Sequence, residues 1–124
     1  LGDVQDASER TVVDMEVATL RSELQLIVAD HIVRGEEAQL SGWVGRNPAE
    51  LAWGEIQHAP GAGAFTLTER WRWDAKDGAL VYAYRRGGCL QLRLARAGGH
   101  LVDGWALGGG LILAPLHDGI TCER

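Results

Sequence analysis

The stretch "EVATLRSELQLIVADHIVRG", residues 16–35, constrains the fold more than any other. Apolar residues fall at Val13, Val17, Leu20, Leu24, Ile27, Val28 and Ile32, in steps that trace one face of a helix. His31 interrupts that face, and acids and Arg take the other side. Arg34-Gly35 supplies the stop: a cation in the last turn, then a residue free to take the left-handed cap conformation. Going backward, "LGDVQDASERTVVDM" holds no Pro, and its one Gly is Gly2. Ser8 with Thr11 makes only an incomplete capping box. A helix over residues 3–34 is therefore expected, about 48 Å long at 1.5 Å per residue. A domain of 124 residues has a radius of gyration near ~14 Å. Part of the helix is thus expected to protrude, namely the turns that carry Val4, Val12, Val13 and Met15. Apolar content thins before Val12, where the core is expected to stop.

A chain of this length makes one domain and buries about two thirds of the surface its unfolded state exposes. No run of ~18 apolar residues is present, so no membrane-spanning helix is expected within these residues, and no signal peptide is visible. The chain opens on Leu1-Gly2 without Met, which reads as a mature form or a piece of something longer. The net charge is −5. Residues 1–34 hold seven acids against three Arg, so the acidity sits almost wholly on the helix. An acidic chain with no basic stripe argues against nucleic acid and against anionic lipid as partners. Cys89 and Cys122 are the two cysteines. They suit a disulfide in an oxidising compartment, or two buried thiols in a reducing one.

Beyond the helix the chain divides in two. Residues 35–63 read as a connecting loop, in which Asn47-Pro48-Ala49-Glu50 starts a short helix over 48–53. Trp43 and Trp53 flank it and are expected to pin the loop to the core. From residue 64 to 124 the period becomes two, as in a sheet and C-terminal region. In "AFTLTERWRWD" Phe65, Leu67, Trp71 and Trp73 share a face. Asp77-Gly78 signals a hairpin. Leu80, Tyr82 and Tyr84 share a face, then Leu90, Leu92 and Leu94. "LVDGWAL" and "GLILAP" add one or two strands. The expected fold is α+β: a long N-terminal helix packed on an antiparallel sheet of about four strands, one face of it apolar.

Catalytic and metal signatures are not found. His31, His58, His100 and His117 stand far apart, without metal-ligand spacing. His31 is expected to be a packed, hydrogen-bonded side chain. His117-Asp118 near Cys122 reads as a turn rather than a nucleophile pair. The Gly108–Gly110 run lacks the Lys of a phosphate loop and reads as a bend. No catalytic residue, cofactor or metal ligand is assigned.

The order of parts is similar to that of the type IV pilin and type II secretion pseudopilin family: a protruding N-terminal helix, a loop with a short helix, an antiparallel sheet and a C-terminal Cys pair. At motif level "ASERTVVDMEVATLRSELQLIVADHIVRG" resembles the helix of proteobacterial pilin-like proteins. "GRNPAELA" resembles the Gly-x-Asn-Pro segment that follows it there. The likeness covers the order of parts and residues 7–53. It implies a structural subunit of a pilus or secretion pseudopilus, anchored in the inner membrane through an apolar helix upstream of Leu1. It also implies a periplasmic or extracellular filament, other pilin or pseudopilin subunits as partners, and a Cys89–Cys122 clamp. Some members bind calcium in a C-terminal loop, but Asp103, Asp118 and Glu123 are too scattered here to match it. Under this resemblance Val17, Leu20, Leu24, Ile27 and Val28 hold the sheet, while Val12, Val13, Asp14, Met15 and Glu16 face neighbouring subunits. Acids of the helix would pair with Arg70, Arg72, Arg85, Arg86 or Arg93 of those neighbours. The alternatives are a soluble periplasmic module binding a small ligand or a protein, and an enzyme whose residues are dispersed.

Overall fold

The computed structural model describes residues 2–56, 70–98 and 103–118. Side chains are described within 6–52, 70–98 and 103–116. The chain is α+β, with helix α1 (Gly2–Val33), a 3-10 turn (Glu37–Trp43) and helix α2 (Pro48–Ile56). Strands β1 (Trp71–Asp74), β2 (Ala79–Ala83), β3 (Cys89–Arg96), β4 (Trp105–Gly108) and β5 (Leu111–Asp118) follow.

α1 runs unbroken through 32 residues, as its uninterrupted run of non-breaking residues requires. It ends where Arg34-Gly35 said it would. Gly35 takes φ 76°, its N–H donates to Ile32 O at 3.1 Å, and Glu36 N–H donates to His31 O at 2.8 Å. That pair of bonds is the Schellman cap. α2 begins on the Asn47 side chain, whose Oδ1 accepts from Ala49 N–H at 3.0 Å. It runs three residues past the expected 48–53. The 3-10 turn was not foreseen in the sequence; it buries Leu40 and Trp43 under the end of α1.

The sheet is antiparallel throughout and has five strands among the described residues, in the order β1-β2-β3-β5-β4. The expectation of about four strands is corrected by the last hairpin. Gly108, Gly109 and Gly110 all take positive φ (100°, 60° and 81°) and fold β5 back against β4. β5 then enters the sheet between β4 and β3, pairing with β3 from Arg96↔Leu111 to Cys89↔Asp118. Pro115 is tolerated in this central strand because β4 pairs no further along β5 than Leu113. On the open edge of β4 the Gln25 amide donates to Ala106 O at 3.0 Å. A helix side chain thereby occupies a carbonyl that would otherwise invite another strand.

α1 lies on one sheet face. Val13, Val17, Leu20, Leu24, Ile27 and Val28 join Trp71, Leu80, Tyr82, Leu90, Leu92, Leu94, Leu107 and Leu113 in one core. Burying a Leu such as Leu20 or Leu24 completely stabilises by about 1.5–3 kcal/mol. The other sheet face is buried in part, contrary to the one-sided picture. Ala79, Val81 and Cys89 form a second small cluster there, and Ile112 and Ala114 are buried as well, while Leu116 is 50% exposed. Small side chains between the Leu and Tyr positions concealed that face in the sequence. Among the described residues no helix is long and apolar enough to cross a membrane.

Candidate interaction surface

The helix core residues stand where the periodicity put them. Val17, Leu20, Leu24, Ile27 and Val28 are all buried. The five candidate contact residues divide. Val12 is 47% exposed, Met15 61%, and Asp14 is also exposed. Val13 is fully buried and Glu16 is 2% exposed, so neither is available to a neighbour and both are corrected here. Among the described residues the core begins at Val13, close to where the thinning of apolar residues put its end, but the turns before it also touch the sheet.

Those earlier turns are held by polar contacts. Tyr82 Oη donates to Glu9 Oε2 at 2.7 Å, and Arg85 N–H donates to Glu9 Oε1 at 3.3 Å. The Arg70 guanidinium stands 3.9 Å from the same carboxylate and donates to Ala83 O at 2.9 Å. Arg86 pairs with Asp6 at 3.3 Å, and the Arg10 guanidinium lies over the Tyr84 ring at 5.3 Å. Arg70 and Arg86, expected to reach acids of adjacent subunits, are thus engaged with acids of their own helix. Arg72 stands 4.0 Å from Asp74, and Arg93 donates to Asp77 O at 3.4 Å.

Burial pushes the Tyr82 phenol up to about 12 from its ordinary 10.0, and the Glu9 carboxylate adds to the rise while Arg70 opposes it. Tyr84 is also raised, by burial first, with Arg10 opposing and Asp14 and Glu9 adding to it.

The side of α1 turned away from the sheet carries a second stripe. Val12, Met15, Thr19, Ser22, Leu26, Ala29 and Val33 recur at steps of three and four. At about 100° per residue this stripe lies nearly opposite the core stripe. Leu26 is 66% exposed and Val33 85%. Flanking them are the acids Asp14, Glu23 and Asp30, the last paired with Arg34 at 3.1 Å.

His31 behaves as a packed side chain. Its Nδ1 lies 2.9 Å from Ile27 O, and its ring meets Trp43 edge-on at 5.0 Å. Trp43 is buried and pins the loop as expected. The side chains of Val4, Trp53, His117 and Asp118 lie outside the described residues, as do Phe65, Leu67, His58, His100, Glu123 and Cys122. Cys89 is buried and disulfide-bonded. Among the described residues no three His, Cys, Asp or Glu side chains gather as a metal site would require. A cleft of about 490 Å³ opens between the 3-10 turn and the β4–β5 hairpin, beside Glu37, Ser41, Arg96 and Leu111. Of its lining residues only Leu111 is buried, so no desolvated polar group converges on it. No protein-family model, curated protein or solved structure matches the chain.

Proposed function

We propose that the chain is a structural subunit of a type IV pilus or secretion pseudopilus, with a pilin-like fold, and that it assembles into a filament through its N-terminal helix. One observation carries this above the rest. A single helix of 32 residues spends one stripe on its own sheet and leaves a second apolar stripe facing outward. A helix that served only to cover its sheet would carry polar residues on its outer side. Val12 and Met15, three residues apart, and Leu26 and Val33, seven apart, instead offer apolar surface on that side, with Thr19 and Ser22 between the two pairs, at the spacing by which helices pack side by side. The likeness of residues 7–53 to pilin-like helices supports the same assignment. The disulfide at Cys89 fits an oxidising compartment, as a periplasmic or extracellular filament requires. The partners are other pilin or pseudopilin subunits and, before assembly, the inner membrane. No catalytic step and no cofactor enter this role.

The experiment is to read the translated sequence ahead of Leu1 and to fractionate cells that make the protein. An apolar stretch of about 20 residues leading into α1, with the protein in the membrane fraction, is expected. A polar beginning, or a different domain joined to Leu1, would remove the proposal.

A further inference from the structure

α1 is one helix by backbone, but it is held to the body in two unlike ways. From Val13 onward the attachment is apolar and enclosed. From Asp6 to Val12 no apolar side chain is buried: Ala7, Ser8, Arg10, Thr11 and Val12 are exposed, Asp6 is partly exposed, and Glu9 is the most enclosed. Among the described residues, the contacts that fix these turns to the sheet are polar or cation-π. The Asp6–Arg86 pair is largely solvated, its side chains 35% and 64% exposed, so it contributes little. Glu9 differs. Its side chain is 10% exposed in its pairing with Arg70. Both its oxygens are taken, one by the Tyr82 hydroxyl and one by the Arg85 amide. Charge-assisted bonds of this kind are the strong ones.

We infer that residues 6–12 of α1 are a lever whose main latch on the sheet, among the described residues, is the Glu9 carboxylate seated between Tyr82 Oη and the Arg85 N–H, and that the latch opens without unfolding the body. Opening breaks the two Glu9 bonds, the Arg70–Glu9 and Asp6–Arg86 pairs and the Arg10–Tyr84 contact. It leaves the core from Val13 to Val28 intact. It also uncovers the Tyr82 and Tyr84 edges and parts Arg70 and Arg86, already exposed, from their acids. Segments with few buried apolar contacts supply the low-energy openings of a fold, and here the boundary between the two regimes falls between Val12 and Val13. The inference is independent of the filament assignment, since it concerns the isolated chain.

Amide hydrogen exchange on the whole chain tests it. In the wild-type protein the amides of residues 8–12 should open in a step of their own, ahead of those in 17–33. In Glu9→Gln their exchange should quicken by ~10-fold or more, the factor one charge-assisted hydrogen bond represents. Exchange in 17–33 and in β3 should be unchanged. Tyr82→Phe, which removes one of the two bonds, should quicken the same amides by less. If residues 8–12 exchange together with 17–33 in the wild type, α1 is a single unit and no lever exists. If Glu9→Gln leaves residues 8–12 as protected as before, fraying rather than a latch governs them. If Glu9→Gln abolishes folding, Glu9 belongs to the body and the inference falls as well.

Discussion

Raising the pH should destabilise the fold chiefly through one side chain, Tyr82. It is 4% exposed, its ring packs edge-on to Trp71 and to Tyr84 at 5.2 Å each, and its hydroxyl donates to Glu9 at 2.7 Å. Removing that proton places a phenolate in an apolar setting against a carboxylate. Burial first, and Glu9 next, lift the ionisation from 10.0 to about 12. A raised value means that the folded state holds the proton more tightly than the unfolded chain. The stabilisation is therefore complete below pH 10, declines as the unfolded chain ionises above it, and is lost by about pH 12. Two decades of proton affinity bound the loss at roughly 3 kcal/mol. That is a large part of the ~5–15 kcal/mol a domain usually has. Tyrosinate absorbance of the folded protein gives the ionisation directly, with Tyr84→Phe leaving Tyr82 as the only tyrosine. Denaturant midpoints over the same range give the stability. Glu9→Gln should bring Tyr82 part of the way back, because burial remains while the charge is gone. A Tyr82 that ionises in the folded state like a free tyrosine, or that ignores Glu9→Gln, would refute the reasoning.

Two further outcomes follow from packing. Leu24 and Leu26 are two positions apart on α1, but one is 0% and the other 66% exposed. Leu24→Ala should cost about 2–5 kcal/mol and Leu26→Ala no more than ~0.5 kcal/mol by denaturant unfolding of the isolated chain; equal losses would mean that the two faces are misassigned. A Cβ on Gly104 would lie 2.6 Å from Leu113 O and 3.0 Å from Ala114 Cα. Both are backbone atoms of the neighbouring strand, so Gly104→Ala should destabilise by about 1–3 kcal/mol, whereas a neutral result would place β4 differently against β5.

Local chemistry was legible in the sequence, and its distant consequences were not. The extent of α1, its Gly35 stop, the Asn47 cap and the turn at Asp77-Gly78 each depend on residues a few positions apart. All four carry a direct steric or hydrogen-bonding cause. The placement of β5 inside β4 depends on which strand offers eight pairing partners, and no local signal encodes that. Val13 and Glu16 were misread for a related reason. Their burial is set by how far the sheet extends beneath the helix, through Trp71 and Tyr82, residues far along the chain. The Glu9–Tyr82 bond joins residues 73 positions apart and could not be read from either neighbourhood. The outward stripe of Val12, Met15, Leu26 and Val33 was available as a pattern, but it gains meaning only once the inward stripe is known to be satisfied.

Side-by-side association along the outer face of α1 is the claim on which the functional account stands. Met15, exposed there and outside the core, can be replaced by a photoreactive amino acid in the full-length protein within the cells that produce it. Illumination should yield a ladder of covalent multimers of the protein with its own kind or with related subunits, and the same label at Leu24 should yield none. A label at position 15 that leaves the protein monomeric, in cells where it is abundant, would contradict the account.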